Sequence, residues 1–220
     1  MKIEKISLSA CHHAEGLLVV IDVLRAFTTA AFAFSRGARE IALVGTVEEA
    51  FLRKERDPSV LLIGEVGGQP IRGFDFGNSP TEISRASLSG KRCVQRTSAG
   101  TQGVVLAKRA ALILTSSFPV AEATVNRIHQ LNPSRTTFVI TGDGGEEDLA
   151  LADYLEERLR GKTPDPAPYL LRVEQAPEGV HLLAHPACPP HYAEDIQLAV
   201  AIDKFPFAMQ VFEGNVLRPV

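Results

Sequence analysis

The sequence predicts an α/β fold, a three-layer α/β/α arrangement around a largely parallel sheet, and three observations carry that reading. Short apolar runs rich in β-branched residues alternate with helical stretches, the rhythm of βαβ units. Several runs end in a small polar or acidic turn, the place where parallel sheets collect their chemistry. The chain has 220 residues, 45% hydrophobic and 22% charged, enough to bury a core without disulfides or a structural metal. A single domain over 1–220 is expected, with room for two similar intertwined halves at about 1–90 and 91–220.

The first unit is a strand over Leu17 to Ile21, closed by Asp22 and followed by a helix from about Leu24 to Arg36. Phe27, Ala30, Ala31 and Phe34 share its buried face, and Gly37 takes the C-cap position. A second strand, Ile41 to Val44, leads to a helix opened by Thr46 and Glu49 at capping-box spacing, and a third strand spans Val60 to Ile63. Glu65 ends that strand. The stretch GEVGGQPIRGFDFGNSP that follows is too long and Gly-rich for a mere connector, so it is assigned to a site. Ser79, Pro80 and Glu82 then open a short helix.

Further strands are predicted at Arg92 to Arg96, Ala111 to Leu114 and Thr137 to Ile140. The first runs through TSAGTQG into a helix ending near Lys108, and the second into a helix opened by Ser117 and Pro119. The third meets TGDGGEED and a helix to Arg160, stopped by Gly161. The Pro-rich segment 162–168 reads as a surface excursion, followed by a helix near Tyr192 to Ile202 and strands at Met209 to Phe212 and Val216 to Leu217.

Charge and cysteine usage narrow the function. With 23 Lys and Arg against 26 Asp and Glu and no basic block, the chain lacks the footprint of a nucleic-acid or anionic-membrane binder. No run approaches a membrane span, and the amino end has no signal-peptide pattern. Cys11, Cys93 and Cys188 are dispersed without a CxxC, as expected for reduced packing thiols of a cytoplasmic protein. His12 and His13 diverge in a strand, while His181, His185 and His191 lack zinc-ligand spacing.

Turns beginning at Asp22, Thr97 and Gly142 are expected to gather along one rim, with helix N-termini facing a crevice suited to an anion. In DVLRAFTT the candidate anion binders are Arg25, Thr28 and Thr29, and in TSAGT they are Thr97, Ser98, Gly100 and Thr101. The P-loop spacing is absent, so no nucleotide is implied. Strand-end and loop carboxylates Glu65, Asp75, Asp143, Glu146, Glu147 and Asp148 are hard oxygen donors suited to Mg2+. Helix capping and the macrodipole account for part of this pattern on their own.

Taken together, VVIDVLRAFTTAAFAFSRGAREI, GEVGGQPIRGFDFGNSPTEI, TSAGT, EDLALA and DIQLAVAIDKFPFAMQV resemble, in family order, the 2-phosphosulfolactate phosphatases, Mg2+-dependent enzymes named for a step of coenzyme M biosynthesis. The resemblance implies hydrolysis of the phosphate ester of a small sulfonate-bearing acid, with Asp22, Arg25 and Asp148 in catalysis. It further implies Arg25, Thr28, Thr29, Asn78, Ser79, Thr97, Ser98, Gly100 and Thr101 on the substrate, and Asp22, Glu65, Asp75, Glu147 and Asp148 as the metal pool. A homodimer is compatible with it. The chain departs from the family pattern at Ala99, where a side-chain amide is usual, at Phe27, where a hydroxyl is usual, and near Thr141, where a cysteine is expected. An anion-binding module that keeps the fold without activity is the alternative, and Ala99 is its support.

Two other resemblances fit less well. A haloacid-dehalogenase phosphatase would need a second aspartate at Leu24, and an isochorismatase-like hydrolase would need a helix-start cysteine where Cys93 sits inside a strand.

Overall fold

The computed structural model of the chain describes residues 1–142, 145–176, 180, 183–184, 188 and 191–220. Its first half runs β1 (Lys2–Ser7), β2 (Gly16–Ile21), α1 (Ala26–Ser35), β3 (Glu40–Leu43), α2 (Val47–Arg56), β4 (Leu61–Val66), β5 (Gln69–Pro70), α3 (Pro80–Ser84), β6 (Arg92–Arg96) and α4 (Gly100–Leu106). The second runs β7 (Ala110–Ser116), α5 (Ala121–Leu131), β8 (Arg135–Ile140), α6 (Glu146–Leu159), α7 (Ala167–Glu174), α8 (Tyr192–Ala199), β9 (Met209–Phe212) and β10 (Val216–Pro219).

Among the described residues ten strands lie in the order β1-β8-β2-β7-β9-β10-β3-β6-β4-β5. Two parallel blocks, β1-β8-β2-β7 and β3-β6-β4, are joined through the antiparallel pair β9-β10. The mostly parallel α/β architecture agrees with the sequence. The antiparallel insertion in its middle does not follow from local pattern, because pairing partners this far apart in sequence leave no mark on either strand.

The sheet curls. Six strand spacings separate β2 from β4, about 29 Å if the sheet were flat. Yet Arg25 just after β2 donates from Nη2 to Gly68 O just after β4 at 3.2 Å, and Gln95 in β6 donates from Nε2 to Ala26 O at 2.9 Å. The curl wraps around α1, whose residues Ala26 to Phe34 are all buried. A helix apolar on every side is stable only inside such an enclosure. Leu18, Val20, Phe27, Ile41, Leu43 and Ile63 share this central core. Outside it, α5 and α6 cover Val19 and Ile21 of the first block, and α2 covers Leu62 and Val94 of the second.

Boundaries shift where turn chemistry overrides periodicity. Helix α1 starts at Ala26, because Asp22 Oδ1 accepts from Ala26 N at 2.8 Å and caps it there. The Pro-rich excursion ends inside α7, with Pro168 in the first turn, where a missing N–H costs nothing. Strand β1 holds only two apolar residues, Ile3 and Ile6, and pairs with β8 without a strand pattern of its own, so the sequence does not predict it. Among the described residues no helix is long and apolar enough to cross a membrane.

Candidate active site

A cleft of about 480 Å³ opens between the two parallel blocks, and its lining includes Asp22, Arg25, Glu65, Asn78, Ser98, Ala99, Thr141, Glu147, Asp148 and Tyr192. Residues distant in sequence thus share one crevice: the turns after β2, β4, β6 and β8 each contribute.

Each acid arrives by a local cause. Asp22 follows the all-apolar β2 and folds back as the cap of α1, and it also accepts a hydrogen bond from the backbone N–H of Gly100. Gly100 is required at that place, since a Cβ would lie 2.6 Å from both Asp22 Oδ2 and Ala26 Cβ. Asp148 sits in the first turn of α6 and points back across the sheet. Its Oδ1 accepts from Val23 N at 2.8 Å, and its Oδ2 from Thr141 N at 3.0 Å and Gly142 N at 3.2 Å. Asp148 therefore laces together the turns after β2 and β8. Glu65 does the same for the second block, accepting from Gly68 N at 2.6 Å and from Ser98 N and Ser98 Oγ. Gly67 and Gly68, both at positive φ, form the two-residue β4-β5 hairpin that brings those amides round.

The expectation of amide-lined turns open to an anion is corrected here. The N–H groups of Val23, Ala26, Ser98, Thr141 and Gly142 are taken by the protein's own carboxylates. Thr97 and Thr101 are likewise turned inward, each hydroxyl accepting from the other's backbone N–H at 3.0 and 2.9 Å.

The resulting cleft is dominated by negative charge. Burial first, then the charges of Glu65 and Glu147, push Asp22 up to about 7 against the pull of its amide donors. Burial, with Asp22 and Glu147 nearby, holds Asp148 well above the usual carboxylate range. Among the described lining residues Arg25 is the one cation, and its charge is already met by Asp195, Nη1 to Oδ2 at 2.8 Å, both groups buried. The Tyr192 ring lies against the same guanidinium, 5.1 Å from centroid to Cζ, and burial raises its phenol to about 12.

Several predicted site residues lie elsewhere. Asp75 does not line this cleft: its Oδ2 accepts from Lys54 Nζ at 2.9 Å and from Leu62 N at 2.8 Å, tying the Gly-rich loop to β4. Thr28 is fully buried and donates to Val23 O at 2.7 Å, and Thr29 is fully buried in the core, so neither reaches the lining. Ser79 caps α3, accepting from Glu82 N and donating to Asp195 Oδ1 at 2.7 Å, beside a smaller adjoining cavity. Glu146 faces the surface against Arg172. Asp143, His181 and His185 are outside the described residues, and His191 ends at the mouth of the small cavity. The sequence reading did not assign Tyr192 and Asp195 to the site, although Asp195 opens the terminal block DIQLAVAIDKFPFAMQV that carries part of the resemblance.

As metal donors the lining offers oxygen only. Among the described residues no three His, Cys, Asp or Glu side chains converge into a ready cage. Asn78 Oδ1, however, is buried in the lining without a hydrogen-bond partner. An orphaned carbonyl oxygen in the same cleft as Asp22 and Glu147 suits a hard cation that takes few protein ligands and completes its shell with water and phosphate, as Mg2+ does.

The family model for 2-phosphosulpholactate phosphatase matches residues 4–183. Similar proteins named "Probable 2-phosphosulfolactate phosphatase" occur in Bacillus subtilis (strain 168), 36% identical over 155 residues, 68% of this chain and 68% of that relative. The Parasynechococcus marenigrum protein is 40% identical over 139 residues, 62% of this chain and 57% of its own length. The Deinococcus radiodurans protein is 46% identical over 114 residues, 52% and 45% of the two chains. The matched stretches therefore span about half to two-thirds of these relatives. On the extent of the family-model match, the chain belongs to the 2-phosphosulpholactate phosphatase family.

Proposed function

We propose that this protein is a Mg2+-dependent phosphatase that hydrolyses the phosphate ester of 2-phosphosulfolactate, or of a closely similar 2-phospho acid, to the hydroxy acid and phosphate. One observation supports it above the others: four carboxylates, Asp22, Glu65, Glu147 and Asp148, line a cleft in which Arg25, the one cation among the described lining residues, is already paired. A polyanionic phosphate ester enters such a cleft only together with a cation, because like charges at close range in a low dielectric repel by several kcal/mol.

Asp22 and Asn78 Oδ1 would hold the ion, with Glu147 beside them. Bound there, Mg2+ supplies charge neutralisation for the transferring phosphoryl group. Asp148 and Glu65, each bridging the backbone amides of two turns, keep the four turns in register. Arg25 offers the N–H groups left over from Asp195 and Gly68 to the phosphoryl oxygens. Glu147 takes a proton from the water that attacks phosphorus as the ester P–O bond breaks, and the departing alcohol oxygen takes its proton from solvent. The wall at Ala99 carries only a methyl group, so it offers no amide to the acid end of the substrate. A cytoplasmic setting is part of the same reading.

The test is phosphate release from a panel of 2-phospho carboxylates and sulfonates, with Mg2+ and with chelator, alongside Asp22→Ala and Arg25→Ala. Release that needs Mg2+, is strongest with 2-phosphosulfolactate and collapses in both variants is expected. Ligand binding without release under any divalent cation would instead identify an anion-binding module.

A further inference from the structure

We propose that Asp195 is the positioning residue for Arg25, holding its guanidinium in the one orientation that faces a phosphoryl group. This inference builds on the function proposed above. It also extends the site beyond the stretch that matches the family model, which ends at residue 183.

Asp195 is fully buried on α8, where an unpaired carboxylate would be costly, so each of its contacts carries weight. Oδ2 accepts from Arg25 Nη1 at 2.8 Å. Oδ1 accepts from Ser79 Oγ at 2.7 Å and Thr81 N at 3.0 Å, both at the start of α3. The carboxylate is thus fixed at one oxygen by a capped helix and spends the other on the arginine. Gly68 O at 3.2 Å and the Tyr192 ring complete a three-sided seat. A guanidinium is planar, so one anchored Nη, one anchored carbonyl contact and one ring face define its orientation. Arg25 lines the cleft, so its remaining N–H groups are the ones available to a ligand there.

Three chain-distant pieces therefore set one catalytic side chain: the β4-β5 hairpin, the α3 cap and α8. In this reading Asp195 acts on the substrate through Arg25. An orientation error of about 1 Å in such a group costs about a hundredfold in rate.

The experiment compares wild type, Arg25→Ala, Asp195→Asn and the double variant, with two readouts. The first is affinity for inorganic phosphate with Mg2+ by calorimetry, and the second is kcat and KM for the phosphate ester. Asp195→Asn is expected to weaken phosphate binding about tenfold and lower kcat about a hundredfold. In the Arg25→Ala background it is expected to add no further loss, because its effect runs through the arginine. Added guanidinium is expected to restore part of the activity of Arg25→Ala, and none once Asp195 is also replaced. If Asp195→Asn does not fold, Asp195→Glu keeps the charge, displaces the guanidinium by one methylene and should show the same losses. Wild-type phosphate affinity in Asp195→Asn, or losses that add to those of Arg25→Ala, would overturn the proposal. If wild type binds phosphate but releases none from any ester, the hydrolytic reading falls while the binding comparison still decides the role of Asp195.

Discussion

Asp22 and Asp75 are both acids beside strands and glycine-containing turns, and the fold treats them in opposite ways. Asp22 is buried among Glu65 and Glu147 and is pushed up to about 7. Asp75 lies a third exposed, paired with Lys54 and bonded to the backbone of Leu62. One carboxylate is left among charges of its own sign, and the other is neutralised. The contrast teaches that charge partners, rather than residue type or loop composition, separate an acid available for a cation and an anionic substrate from an acid that holds a loop.

The sharpest break of this comparison is mutational. Asp22→Ala is expected to cut kcat by about a thousandfold, the scale of losing a principal electrostatic group in a site. Asp75→Ala should leave kcat within about twofold and lower stability by about 1 kcal/mol, the usual worth of a half-exposed ion pair. Steady-state kinetics and urea unfolding on both variants decide it, and a large kinetic loss in Asp75→Ala would undo the contrast.

A smaller effect is expected from Arg25→Lys, which keeps the charge and loses the planar fork that Asp195 and Gly68 O hold. A drop of about ten- to a hundredfold in kcat/KM follows if the fork is what substrate meets, and unchanged kinetics would mean that charge alone matters.

The smallest effect concerns pH. Asp22 has its folded value raised to about 7 from an ordinary 3.8, so the folded state binds its proton more tightly than the unfolded chain does. The stability from that proton is full at low pH and is lost as pH climbs through the window between those two values. Metal-free protein should therefore melt several degrees lower at pH 8 than at pH 5, Asp22→Asn should flatten the slope, and Mg2+ should recover most stability at the alkaline end. Melting curves at both pH values, with and without the ion, check the sign. A rise in melting temperature with pH that Asp22→Asn abolishes would contradict it.

Much of this was readable in advance, and particular residues explain why. The run before Asp22 is wholly apolar because β2 is covered on both faces, so strand, turn and helix follow from local pattern. Thr46 with Glu49 and Ser79 with Glu82 form the caps their spacing implies. Asp22, Asn78, Ser98 and Asp148 line one cleft, while Thr97, expected on the same rim, is not in its lining. Thr28, Thr97 and Thr101 went the other way, because a hydroxyl in a first turn serves capping as readily as ligand binding and the sequence does not distinguish the two. Asp195 was invisible as a site residue, since its partners lie 170 and 116 positions away.

By itself, the amino-acid sequence determined the mostly parallel α/β character, the caps, the acid-bearing turns and the family, since each depends on spacing within a few residues or on motifs in order. Only the tertiary structure decided that the sheet curls around α1, that backbone amides go to the protein's own carboxylates, and that Asp195 seats Arg25. Those outcomes depend on which distant groups meet in a space with little water, where a buried charge must find its partner wherever the fold has put one.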